Sequence, residues 1–107
     1  MIRGTTPDIV LTINGYNLTD KTVYVTISKS GRKLTKTNED LMITYTGGTS
    51  SIAFRLTQEE TLAMRIGTAS VQVRFISADG TALATDIKTL SIEPVLLEEV
   101  IEYAADD

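Results

Sequence analysis

The 107-residue chain contains neither cysteine nor histidine, and ten Lys and Arg against 14 Asp and Glu leave a net charge of −4. That composition excludes disulfides, thiolate metal sites and a cysteine nucleophile, and it removes the commonest general base and transition-metal ligand. A single domain of this length withdraws roughly 65% of its unfolded surface from water, so no covalent staple is needed.

The charge is unevenly spread. Glu93, Glu98, Glu99, Glu102, Asp106 and Asp107 all fall in residues 93–107 with no base among them, so the acidity belongs to the tail and the rest is slightly basic. Nucleic acid calls for a concentrated basic face bearing aromatics, and a chain with no Trp and two Phe offers a poor one. Apolar runs such as Val95-Leu96-Leu97 reach only three residues, against roughly 20 for a bilayer span, so no membrane partner is expected. The opening Met1-Ile2-Arg3-Gly4-Thr5-Thr6-Pro7 has no apolar core of a signal peptide, and export is not expected.

In chain order, Pro7 restricts Thr6 to extended geometry, and Ile9, Leu11 and Ile13 then alternate with Asp8, Val10 and Thr12 as a first strand. Asn14-Gly15 ends it. A polar loop to Lys21, whose Asn17-Leu18-Thr19 reads as a chance glycosylation triplet, leads to a second strand with Val23, Val25 and Ile27 inward. After a turn at Ser30-Gly31-Arg32 comes a short strand around Leu34, flanked by Lys29, Arg32, Lys33 and Lys36; such basic density defends a sheet edge. Leu41, Ile43 and Tyr45 form the next set, Gly47-Gly48-Thr49-Ser50 turns the chain, and Ile52, Phe54 and Leu56 resume the alternation.

The period then changes. Thr57 with Glu60 three residues later is a capping box, which predicts a crossover helix of one to two turns over about 58–65, ending near Gly67 and pinned by Leu62 and Ile66. The accompanying hydrophobic staple is incomplete, because Thr61 occupies the position that should meet Leu56.

Val71, Val73 and Phe75 open the clearest hairpin, for which Asp79-Gly80 predicts a type I′ turn. On the return strand Leu83, Thr85 and Ile87 share one parity while Leu90 and Ile92 take the other. Either a β-bulge between Ile87 and Leu90 restores the face, or the strand changes layer. Pro94 ends the strand, and residues 95–103 can form a short helix with Leu96, Leu97, Val100 and Ile101 on one side, covering this domain or a neighbour. Residues 104–107 are a frayed tail.

The expected fold is therefore all-β: an immunoglobulin-like antiparallel sandwich of six to eight short strands over residues 1–94, followed by an acidic segment over 95–107. A small barrel is the alternative. No constellation carries catalysis. Glu59-Glu60 suits a helix N-terminus and its cap, Asp79 suits turn geometry, and the 17 Thr suit strands and lack an activating base. Gly47-Gly48-Thr49 lacks the lysine of a phosphate-binding loop. Neither catalytic residues, nor a cofactor, nor a metal site are expected.

The opening Met1–Pro7, the Leu56-Thr57-Gln58-Glu59-Glu60-Thr61 segment, Val71–Phe75 and the Asp79–Ile87 hairpin together resemble small uncharacterised proteins encoded by prophages and phages of gut Firmicutes. In size and β character the chain is also similar to the N-terminal immunoglobulin-like domains of phage baseplate upper proteins. This resemblance implies a structural role in a virion or tail, made in the host cytoplasm, with phage structural proteins or further copies of itself as partners. The alternative is a free-standing module for a carbohydrate or cell-surface ligand, against which the scatter of Tyr16, Tyr24, Tyr45 and Tyr103 counts. The candidate assembly surface comprises Lys29, Arg32, Lys33 and Lys36 together with Leu96, Leu97, Val100 and Ile101, the opposite charges of hairpin and tail steering orientation.

Overall fold

In a computed structural model that describes residues 1–102, the chain runs through eight strands and one short α-helix. They are β1 (Asp8–Asn14), β2 (Thr22–Lys29), β3 (Arg32–Thr37), β4 (Met42–Thr46), β5 (Thr49–Arg55), α1 (Gln58–Leu62), β6 (Gly67–Ile76), β7 (Ala82–Ala84) and β8 (Lys88–Ile92). Strands β1-β5-β4 form one antiparallel sheet. The other runs β3-β2-β6, with β7 and β8 both on the free side of β6.

Alternation makes both inner faces apolar, as the sequence requires. Ile13, Ile52, Phe54 and Leu56 from the smaller sheet meet Val23, Val25, Ile27, Ala69, Val71, Val73, Phe75 and Ile92 from the larger. The chain changes layer between β1 and β2, between β3 and β4 and, through α1, between β5 and β6, in the order of an immunoglobulin domain. The smaller sheet matches its B, E and D strands and the larger its C′, C, F and G. Ile2 adds a parallel bridge to Glu93 beside β8, where an immunoglobulin A′ strand would lie. The sandwich, not the barrel, is the fold.

Three local expectations are corrected. First, the type I′ geometry sits elsewhere. Ser30-Gly31 and Gly47-Gly48 each join strands through two residues with positive φ, the requirement of that turn. Asp79 has no positive φ. Instead the Gly80 N–H donates to Ser77 O at 3.0 Å and the Ser77 N–H to Thr81 O at 2.9 Å, making a three-residue loop whose last member, Gly80, is left-handed. The Asp79 carboxylate accepts the Thr81 N–H at 2.9 Å, which fixes that geometry from the side chain.

Second, α1 ends at Leu62 and Ala63, short of Arg65. Thr61 and Met64 are buried rather than Leu62 and Ile66, and Ile66 is exposed. Third, residues 95–102 contain no helix; Tyr103 and residues 104–107 lie outside the described residues.

The parity break in the last hairpin is a β-bulge, one of its two open explanations. Leu83 pairs with Phe75 but Lys88 with Val71, so Asp86 and Ile87 together oppose the single residue Gln72. Thr85 spans the gap: its N–H donates to Val73 O at 2.8 Å, and its hydroxyl accepts the Val73 N–H at 3.1 Å in place of a carbonyl. Leu90 and Ile92 thereby return to the core side, while Ile87 is left exposed.

The loop between β1 and β2 has an unexpected role. Leu18 is fully buried, and Ser50, also fully buried, accepts the Leu18 N–H and donates to Tyr16 O. The loop thus plugs one end of the sandwich, with the Tyr16 ring tilted on Phe75 at 5.3 Å between centroids.

Replacing Phe75 by Ala should cost about 3–5 kcal/mol in denaturant titration, since it opens a cavity in the larger sheet and removes the Tyr16 contact. Thr57→Ala should cost about 1 kcal/mol by the same measurement, through loss of the α1 cap.

Candidate protein-interaction surface

The single turn of α1 is the point where separate stretches of the chain meet. Thr57 Oγ1 accepts the Glu60 N–H at 3.1 Å and Glu60 Oε1 accepts the Thr57 N–H at 2.8 Å, completing the expected capping box. The other oxygen of the same carboxylate, Oε2, accepts from Lys36 Nζ at 2.6 Å. Lys36 pairs with Val25 on the core-facing side of β3, so it is an inward-pointing charge at a sheet edge, sealed by the helix.

Burial pushes the Glu60 carboxyl upward, but the hydrogen bonds from Lys36 and from the Thr57 backbone, with the Lys36 charge, outweigh it. The group is held below its ordinary value.

Thr61, in the staple position, makes a polar clasp instead. Its hydroxyl accepts the Gly4 N–H at 2.9 Å and donates to Thr5 O at 2.9 Å, fastening the segment before β1. Arg3 reaches the other end of the helix. Its guanidinium donates to Leu62 O at 2.7 Å, satisfying a terminal carbonyl, and to Glu98 at 3.1 Å. The chain after Pro94 is held once more by Gln58, whose side-chain amide donates to Ile101 O and accepts the Ile101 N–H at 2.9 and 2.8 Å.

That pair of hydrogen bonds explains why no helix forms there. The Ile101 backbone groups are taken by Gln58, and a short isolated helix rich in Val and Ile has too little stability to compete. Leu96 is fully exposed, and Leu97, Val100 and Ile101 remain exposed as well. The apolar stripe does not close its own sandwich.

The expected basic cluster is divided. Lys36 is consumed by Glu60, whereas Lys29, Arg32 and Lys33 rim a cleft of about 290 Å³ between the β2–β3 hairpin and α1. Its floor is Ile27, Leu34, Ala63 and Met64, and Glu59 and Glu60 form the facing wall. The tail and the basic rim therefore both adjoin α1. Sequence reasoning found the box but missed the roles of Thr61, Arg3 and Gln58. For Thr61 the signal was present as an incomplete staple; for Arg3 and Gln58 there was none.

Asp79 is a turn residue, its carboxyl held low by hydrogen bonds from Thr81. Among the described residues no cluster of metal-ligating side chains occurs, and no helix is long and apolar enough to cross a membrane.

Thr61→Val should cost about 1–3 kcal/mol, because it strands the Gly4 N–H and Thr5 C=O, and should raise amide exchange at Gly4. The lowered Glu60 value fixes a pH dependence. The unfolded chain takes up that proton more readily, so the contribution is whole above the ordinary value of 4.5 and is lost as pH falls through the lowered one. Lys36→Met should lose about 1 kcal/mol at neutral pH and show a shallower acid limb in denaturation midpoints.

Compared with known proteins, the chain matches no family model, and no curated protein gives a significant match.

Proposed function

We propose that the protein is a structural or assembly component of a phage or prophage particle, acting through protein–protein contacts and without catalysis. One observation carries this reading: Leu96, Leu97, Val100 and Ile101 are displayed to solvent on a segment held from both sides, by Arg3 on Glu98 and by Gln58 on Ile101. Apolar side chains fastened in exposed positions suit a partner's surface. The basic rim of Lys29, Arg32 and Lys33 supplies a charge opposite to that of Glu98, Glu99 and Glu102 and orients the encounter more than it adds affinity. The sequence resemblance supports a phage or prophage particle as the setting, with tail or virion proteins or further copies of the chain as partners.

The test compares the full chain with Leu96→Ser/Leu97→Ser. Both should melt at the same temperature, because these side chains bury little, while only the parent should capture phage structural proteins, identified by mass spectrometry, from an induced lysogen. A parent chain that captures none overturns the reading. Specific glycan binding by both proteins would replace it with that of a carbohydrate-binding module.

A further inference from the structure

The four lateral edges of the two sheets are not equally guarded. Strand β3 carries Arg32, Lys33 and Lys36, and the Asp40 carboxylate accepts its Thr37 N–H. β4 offers five residues of edge against seven in β1. The β7–β8 edge is broken by the bulge at Asp86-Ile87 and covered at its far end by Met1–Arg3. Basic side chains at β3, and the bulge and covering segment at β7–β8, hinder recruitment of another strand there.

β1 has none of these devices. It runs for seven residues, Asp8 to Asn14, with no Pro, no Gly and no charge after Asp8. Its pairing with β5 is flanked by hydrogen bonds from the Gly15 N–H to Gly48 O and from the Leu56 N–H to Pro7 O. Antiparallel alternation then commits residues 9, 11 and 13 to β5 and turns the backbone N–H and C=O of Asp8, Val10, Thr12 and Asn14 to the open side. All four of these residues are exposed, Val10 at 61%. On the inner face Ile9 and Leu11 are only half-buried, whereas Ile52 and Leu56 on neighbouring β5 and its extension are fully buried. The core is open along this edge.

We propose that β1 pairs with β1 of a second copy of this chain, antiparallel across a two-fold axis, joining the two small sheets into one of six strands. The occupant is specified by self-complementarity. A register centred on Leu11 sets Val10 opposite the partner's Thr12 and Asp8 opposite the partner's Asn14, and it engages every outward backbone group in about eight main-chain hydrogen bonds. It opposes no like charges: Asp8 meets an amide and retains its own Arg55, at 2.8 and 3.0 Å. Ile9 meets the partner's Ile13 on the inner side, and the two Leu11 side chains meet on the axis and close the exposed core margin. This contact uses the sheet edge opposite in character to the basic hairpin, and it stands independently of the tail reading above.

The absence of cysteine allows a direct test of register. Leu11→Cys places one thiol per chain at a position that does not hydrogen-bond across the axis, where Cα atoms approach to about 4.5 Å, within disulfide range. Under mild oxidation it should give a covalent dimer. Ile9→Cys and Ile13→Cys should each give no covalent dimer alone and cross-link when mixed.

In sedimentation the full parent chain should associate reversibly. Val10→Lys, which places a charge on the solvent face beside the proposed seam and leaves the β5 pairing intact, should weaken dimerisation at least about tenfold with an unchanged circular dichroism spectrum. Leu96→Ser/Leu97→Ser should leave the dimer unaffected, which separates this edge from the tail. A parent chain that stays monomeric at every concentration, or a dimer indifferent to Val10→Lys and not trapped by Leu11→Cys, overturns the proposal.

Discussion

A helix of five residues cannot stand on its own propensity, and α1 exists because one carboxylate binds in two directions. Glu60 closes the capping box with one oxygen and holds Lys36 of β3 with the other, so the same side chain caps the start of the helix and ties it to the larger sheet. Everything attached to the helix inherits that anchorage. Thr61 holds the segment entering β1, Arg3 satisfies the last turn, and Gln58 holds the chain leaving the sandwich. Partial burial strengthens the pair, since neither side chain is more than a fifth exposed and solvent screens it less than a surface contact. The junction is polar where a hydrophobic staple would ordinarily serve.

Strand positions were legible because a half-buried strand must alternate, and Val23-Val25-Ile27, Ile52-Phe54-Leu56 and Val71-Val73-Phe75 do so without exception. The helix start was legible for a related reason: Thr57 and Glu60 satisfy each other locally, within four residues of chain. The parity break after Ile87 was equally visible, although only tertiary pairing could choose a bulge over a change of layer. What was not legible depends on partners distant in sequence. Leu18 looks like a loop residue until Ser50, 32 positions away, holds its N–H, and Ile101 looks helical until Gln58 takes both its backbone groups.

The turn at Asp79-Gly80 shows a different limit. Asp-Gly suits both a two-residue and a three-residue loop, and the choice falls to which strand residues pair, here Ile76 with Ala82. For the surface, the basic residues around Leu34 formed one cluster in sequence but not in space. Alternation turns Lys33 outward and Lys36 inward, and the inward one is absorbed by Glu60. Charge proximity along a strand therefore overstates what a partner can reach.

The parallel seam between the first three residues and the end of β8 sets how the domain would carry load. Met1 N donates to Ser91 O, Glu93 N to Met1 O and Arg3 N to Glu93 O, at 2.7 to 3.1 Å. Because the two segments run the same way, tension applied to the leading end and to the chain beyond Glu93 pulls along the seam in opposite senses. The three bonds are strained together in shear, whereas a hairpin drawn from its open end would lose its bonds singly, in succession. A sandwich wired in this manner meets such tension with all three bonds at once.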